Sequence, residues 1–356
     1  MKILHIACIG LNAEGIGTVI SKIVPEQIKK GNEVRIISTC DNLIYKELEI
    51  SHITATDTFA NYIQNWKPDI VQFHSVYRFP FIRFYKLLKR KGIPYVIQMH
   101  GALSEENYKK SHFKKVIANK LFFYSYLNNA SAVLFLNKEE QDKCVLRTIL
   151  KNSLILPNGC DKVNDVLLKE TCNNPIDIIF IGRASMIHKG LDVLCDALDI
   201  LMQEGGGNFK LSFYANPDDK DIPLLLERIK LYRTKIDYKG GIYGTDKDLR
   251  LRNTDIFILT SRYEGMPMGL LEAISYGIPS IVTPGTNMSD ILKVAEAGWI
   301  TDLTPQDIAK TIKKAIKDFE ENPLRYRKNA LKLSKSFNWD TIAGKSIEIY
   351  SKILNK

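Results

Sequence analysis

The chain has 356 residues, 45% apolar and 25% charged, the balance of a globular protein with room for two domains of ordinary size. No stretch approaches the ~18 uninterrupted apolar residues of a membrane-crossing helix, so no such span is expected. The net charge of +10 is uneven: residues 1–160 hold 22 Lys+Arg against 13 Asp+Glu, and residues 161–356 hold 28 against 27. The first half is therefore expected to face something anionic (nucleic acid, a phospholipid surface or a phosphorylated substrate) or to be a plain basic surface.

"KILHIACI" at the N-terminus is a continuous apolar run. It lacks the small-residue cleavage site of a signal peptide and reads as a strand buried on both faces. "GLNAEGIGT" follows, with Gly10, Gly15 and Gly17. Gly15-x-Gly17 lets backbone approach a phosphate. The rival reading is a dinucleotide fingerprint with Asp41 as the ribose acid, but Ile20 stands where its third glycine belongs. A helix-like stretch runs through Lys30 and Gly31 stops it. "EVRIIST" is the next strand. "DIVQFHS" and "YVIQMHG" are apolar strands ending in His74 and His100, and Gly101 lets the chain turn closely over a ligand. Each histidine reads as structural or as part of a site. "AVLFLN" is a further strand.

Beyond about residue 157 the theme restarts, after Pro157-Asn158-Gly159 and a polar stretch to Asn174. "DIIFIG", "FKLSFYA", "DIFILT" and "SIVT" are strands, and "GLDVLCDALDILMQ" is a helix. Strands alternating with helices predict an α/β fold with parallel sheets in two domains, 1–160 and 161–340. Ligands of such sheets bind beyond the carboxyl ends of the strands. Six cysteines (Cys8, Cys40, Cys144, Cys160, Cys172, Cys195) without CxxC spacing predict reduced thiols in a cytoplasm and no zinc.

Two loops carry the chemistry. In "IGRASMIHKGL", Arg183 and Lys189 flank a loop before a helix that Gly190 opens. Two cations beside a helix N-terminus suit a diphosphate; the alternative is a pair of solvated surface cations. In "SRYEGMPMGLLEAISYGIP", Glu264 precedes a helix expected to start at Pro267, and Glu272 lies within it. Both can accept hydrogen bonds from sugar hydroxyls beside an anion held at the helix start; the alternative is a loop acid and a buried structural acid.

With "KPDIVQFHS", "MHG", "AVLFLNKEE", "LPNGCD", "GGIYGTDKDL" and these two loops in order, the sequence resembles the retaining glycosyltransferases of family 4. The resemblance implies the GT-B fold: two Rossmann-like domains with parallel sheets facing across a cleft. The first would be the acceptor side, with a C-terminal helix over 341–356 packing back on it, and the second would bind the nucleotide sugar. By resemblance, Glu264 binds the donor sugar, Glu272 the ribose, Arg183 and Lys189 the diphosphate, and His100 the sugar's hydroxymethyl side. Gly15 and Gly17 would approach the phosphates, and Gly241, Ile242 and Tyr243 the base. Gly265, Met266 and Met268 would line the nucleotide. The first loop departs from the family, reading Glu14-Gly15 in place of paired glycines, and "PGTNMSD" departs again after the motif. The resemblance implies a catalytic set of Glu264, His100, Arg183 and Lys189, with retention of configuration. In the mechanism that the resemblance implies, the leaving diphosphate takes the acceptor's proton. No cofactor or metal is expected, since Asp246 and Asp248 of "TDKDL" fall at a polar helix start.

The expected donor is a nucleotide sugar, UDP-linked, with GDP open. Two basic, aromatic stretches, 78–92 and 108–127, bear on the acceptor. The second places Phe113, Val116, Ile117, Lys120, Phe123, Tyr124 and Leu127 near one helical face, and Lys110, Lys114 and Lys115 towards another. That pattern suits a helix in an anionic membrane interface, or a core-packed helix with a solvated lysine face. The expected acceptor is lipid-linked or a surface polysaccharide of the lipopolysaccharide or capsule kind, met by a peripheral protein at the inner face of the plasma membrane. A soluble small-molecule or glucan acceptor is the alternative, an NAD enzyme a weaker one. No nucleic-acid module is visible.

Overall fold

The computed structural model describes residues 1–9, 14–40, 49–103 and 112–355. The chain forms two compact units, Met1–Gly159 with Trp339–Lys356, and Cys160–Asn338.

The first unit is built on β1 (Lys2–Ala7), β2 (Glu33–Ser38), β3 (Ile50–His52), β4 (Ile70–His74), β5 (Tyr95–Gln98), β6 (Ala132–Phe135) and β7 (Ser153–Ile155). They pair in parallel in the order β3-β2-β1-β4-β5-β6-β7, so the winding reverses between β1 and β4. Every residue of β4, β5 and β6 is buried. The continuous apolar runs arise from that: with helices on both faces, neither side of a strand meets water. The core on one face is aromatic, with Phe59 stacked on Phe84 at 4.1 Å and Phe73 set edge-on to Tyr95 and Tyr126. The last helix, Trp339–Leu354, packs on the first, Glu14–Lys29, where the Gln27 amide donates to Ser346 Oγ (3.0 Å) and Lys30 pairs with Asp340 (2.7 Å).

The second unit is built on β8 (Ile176–Ile181), β9 (Phe209–Tyr214), β10 (Ile236–Tyr238), β11 (Ile256–Leu259), β12 (Ser280–Val282) and β13 (Gly298–Ile300), in the parallel order β10-β9-β8-β11-β12-β13. Here the winding reverses between β8 and β11. Under the sheet, Arg327 bonds Asp255 at 2.7 Å, and both are buried. Asp255 Oδ2 also accepts from the backbone of Asn173 (3.1 Å) and Asp177 (2.9 Å), which ties the incoming chain to the start of β8.

Two expectations are corrected. Cys8 and Cys40 form a disulfide, with Cα atoms 4.9 Å apart. Sequence spacing hides this pairing. The register that sets Ala7 beside Ser38 brings the residues just past both strand ends together. The other four cysteines are free thiols. The 108–127 stretch also does not present the expected face. Its helix, His112–Ala118, passes through a π-helical turn, Asn119–Phe123, before Tyr124–Asn128. That extra residue in the turn rotates the pattern. Phe123 and Leu127 go into the core, while Val116, Ile117, Leu121 and Phe122 stay exposed, with the Phe122 ring edge-on to that of the exposed Phe79. Lys110 and the side chains of Phe113 and Lys114 lie outside the described residues, as do Gly10 and Asp41.

Candidate functional site

In the second unit the reversal point lies between β8 and β11, and the two sequence loops leave the carboxyl ends of those strands. This is where an open parallel sheet leaves a crevice for a ligand. The β8 loop is held from below: the amides of Ala184 and Met186 donate to Asp219 (2.6 Å) and Asp221 (2.8 Å). Arg262 ties the loops together, bonding Asp192 twice at 2.7 Å and the Ile187 carbonyl at 2.7 Å. At the junction, Gly190 has φ +64° and caps the helix Leu191–Gln203. A Cβ there would lie 2.1 Å from the Thr260 carbonyl oxygen, so glycine is required twice over.

Lys189 and Glu264 meet: Nζ lies 2.5 Å from Oε1, and both side chains are largely buried. Ser261 Oγ donates to the same oxygen at 2.7 Å, and the Asn287 amide donates to the Glu264 carbonyl at 2.6 Å. No hydrogen bond among the described residues reaches Glu264 Oε2, so the carboxylate is fixed by one oxygen and can accept with the other. His188 bonds the Tyr263 carbonyl at 2.8 Å and stacks near the Tyr263 ring at 4.3 Å. Burial lowers its pKa, opposed by Glu264. Arg183 is exposed and makes no hydrogen bond or salt bridge among the described residues. The pair of loops thus supplies one anchored cation, one uncommitted cation and one half-satisfied carboxylate.

The helix after the second loop runs Met268–Ser275, with Pro267 as its N-cap rather than its first residue. Met266 is buried; Gly265 and Met268 are half-buried. Glu272 pairs with Lys247 at 2.5 Å, on the neighbouring helix Gly244–Arg252. Gly241, Ile242 and Tyr243 form the loop after β10, and the Tyr243 side chain is 71% exposed. Asp248 is taken up by Arg252 (2.8 Å) and the Tyr276 hydroxyl (2.7 Å).

In the first unit, His100 follows β5 in the left-handed region (φ +49°), and Gly101 follows at φ +76°. Glu140 clamps this turn, accepting from the amides of Gly101 and Leu136 at 2.5 Å each. Burial raises its pKa to about 7. His100 Nε2 lies 3.0 Å from His74 Nδ1, and His74 Nε2 lies 2.9 Å from His5 Nδ1. Gly15 and Gly17 belong to the helix Glu14–Lys29, and Gly15 has no atom within 4 Å of a Cβ position.

Sequence reading missed five partners: Lys247, Ser261, Asn287, His5 and Gln27. His188, next to Lys189, stood in plain view as a second titratable group in the loop. His5 and Gln27 were hidden, each as one polar residue in an apolar element.

A family model described as "Glycosyltransferase Family 4" matches residues 13–162, and one described as "Glycosyl transferases group 1" matches 169–333. The chain belongs to the family 4 glycosyltransferases. The family 4 chain is 28% identical to a glycogen synthase of Moorella thermoacetica over 54% of its own length and 41% of that protein. It is 24% identical to a putative colanic acid biosynthesis glycosyltransferase, WcaL of Escherichia coli, over 41% of its length and 36% of that protein. The matched stretch thus spans less than half of either relative. Among solved structures, Anabaena HepE in complex with UDP superposes with a TM-score of 0.76 at 17% identity, covering 99% of this chain and 100% of that one. At that identity the likeness shows the GT-B fold, in agreement with the two parallel-sheet units.

Proposed function

We propose that the protein is a retaining glycosyltransferase that moves a sugar from a UDP-linked donor to a lipid-linked or surface-polysaccharide acceptor at a membrane face, without a metal. The observation that carries the reading is the pairing of Lys189 with Glu264 beside the uncommitted Arg183. A nucleotide diphosphate between the two cations would be met by charge on two sides. Negative charge growing on that diphosphate as the sugar departs is stabilised by groups already in place, without reorganisation. Glu264 Oε2 is the acceptor for a donor-sugar hydroxyl, and Glu272, steadied by Lys247, serves the ribose. The family membership and the UDP bound to HepE support the choice of donor.

The exposed cluster of Phe79, Val116, Ile117, Leu121 and Phe122 supports a membrane-facing acceptor side, with Arg83, Lys86 and Lys120 exposed on the same elements. Apolar side chains with basic neighbours are what an anionic interface retains. The glycogen synthase match favours a second reading, a soluble glucan acceptor. Purified protein incubated with UDP- and GDP-sugars, with lipid-linked and glucan acceptors, tests both. Release of UDP with an α-linked product from an α-linked donor is expected. A β-linked product would remove the retaining assignment, and transfer to glucan alone would move the acceptor to the second reading.

A further inference from the structure

Three histidines of the first unit stand in line beneath the turn that carries His100. His5 on β1 and His74 at the end of β4 are fully buried, at 0% and 1% exposure. The two strands are neighbours at the reversal point, and β5 lies next to β4. The chain of contacts continues backwards: His5 Nε2 lies 2.8 Å from Gln27 Oε1, the Gln27 amide nitrogen is 3.0 Å from Ser346 Oγ, and Ser346 Oγ is 2.7 Å from the Ala343 carbonyl.

The proton positions follow by elimination. The Ala343 carbonyl only accepts, and towards Ser346 and Gln27 so does the Tyr350 hydroxyl, whose own proton goes to Gln72 Oε1; the single Ser346 hydroxyl proton points at one of these two acceptors. Ser346 Oγ must then accept from Gln27, which sets the amide with its nitrogen towards Ser346 and its oxygen towards His5. That oxygen only accepts, so His5 carries its proton on Nε2. A neutral imidazole has one N–H, so His5 Nδ1 accepts, and His74 donates from Nε2. His74 Nδ1 accepts in turn, and His100 donates from Nε2. A second proton on His5 or His74 would set two N–H groups head-on at 2.9–3.0 Å unless the next ring changed tautomer, and a second proton on His100 would have to sit on Nδ1. Burial lowers all three rings below the ordinary histidine range, which favours the neutral forms.

We propose that the line Ser346–Gln27–His5–His74–His100 is a one-directional relay that locks His100 as its Nε2–H tautomer and turns the bare Nδ1 outwards as a hydrogen-bond acceptor for a ligand hydroxyl. His5, His74 and Gln27 are positioning residues, acting through His100. The identity of the hydroxyl, on the donor sugar, rests on the function proposed above; the tautomer does not. The device also links the last helix of the chain to the site: Ser346, more than 240 positions from His100, orients the amide that starts the series.

Nitrogen-15 NMR of the full-length protein with labelled histidine, assigned by single His→Gln replacement, reads the tautomers directly. At neutral pH in the wild type, His100 should show a protonated Nε2 and an unprotonated Nδ1, with the same form at His5 and His74. A protonated Nδ1 at His100, or fast exchange between both forms, would overturn the proposal. Gln27→Met removes the terminal acceptor while keeping length and volume. It should leave His100 as a mixture of tautomers, a loss of at least about half the acceptor form, since a two-state bias is removed. A folded Gln27→Met protein with a single unchanged His100 tautomer would count against the relay. Should the tautomers be as stated while no nucleotide sugar is turned over, the relay stands and the donor reading fails.

Discussion

Arg183 and Lys189 bring charge to one loop but are held differently. Lys189 is buried against Glu264, whereas Arg183 stands exposed without a bond among the described residues. Arg183→Ala should therefore remove transition-state stabilisation alone: transfer falls by ~10²-fold or more with thermal stability unchanged. Lys189→Ala should lose as much activity and some stability as well, because Glu264 keeps only the Ser261 hydroxyl on its buried oxygen. Equal melting temperatures for the two variants, or near-normal turnover in either, would contradict these assignments. Glu264→Gln should depress turnover more than nucleotide affinity, and Glu272→Gln the reverse; a matched loss in both would remove the division of labour. Chelator should leave turnover unchanged, and restoration of lost activity by manganese would oppose the metal-free reading. Residue type and spacing made Arg183, Lys189, Glu264 and Glu272 stand out in the sequence, because charged groups after apolar strands have few structural reasons to be there. Their partners did not stand out. Lys247 lies 25 positions before Glu272, and only helix packing brings them to 2.5 Å.

Strands were legible in proportion to their burial. The nine inner strands were all legible, most of them as apolar runs, while β2 and β9 carry exposed polar positions among their apolar residues. β3, β7, β10 and β13, three residues each, went unseen, and they are the four edges of the two sheets. An edge strand has a neighbour on one side only, so most of its positions stay partly exposed and no run forms. The π-helical turn was equally invisible, since one inserted residue shifts a helical face without changing composition. At the junction of β8's loop with its helix, Gly190→Ala should cost ~1–3 kcal/mol for backbone strain alone, with more from the Thr260 contact. A melting temperature within experimental error of wild type would refute that. The histidine line predicts a pH dependence. Unfolded imidazoles take up protons below about 6.5, but folded His5 and His100 do so only near 4. Between those values the unfolded chain binds more protons, so stability falls on acidification. Glu140 works in the opposite sense: held near 7 against an ordinary 4.5, it contributes most at low pH and less as pH rises to 7. Three rings outweigh one carboxylate, so urea unfolding should show stability dropping from pH 6.5 towards 4.5. The slope should be shallower in His5→Gln, and an identical slope in that variant would contradict the account.

Over the whole chain the excess charge sits in the first 160 residues, and that stretch also exposes Phe79, Val116, Ile117, Leu121 and Phe122. The protein should bind vesicles containing anionic lipid and release them as salt screens the attraction, with a Debye length of ~8 Å at physiological ionic strength. Replacing Leu121 and Phe122 by Ser should weaken vesicle binding about tenfold or more, as loss of two buried apolar side chains implies. UDP binding should be unchanged, because these residues belong to the first unit, and Arg183, Lys189 and Glu264 to the second. Undiminished flotation of that variant would shift the acceptor towards a soluble glucan. The central claim is that the loops after β8 and β11 hold a nucleoside diphosphate. Calorimetric titration of UDP, GDP and NAD into wild type and the Arg183→Ala/Lys189→Ala double variant measures this most directly. The account predicts saturable binding of UDP to the wild type without added metal, no binding of NAD, and loss of the UDP heat in the folded double variant. Binding of UDP that survives the double substitution, or binding of NAD in its place, would contradict it.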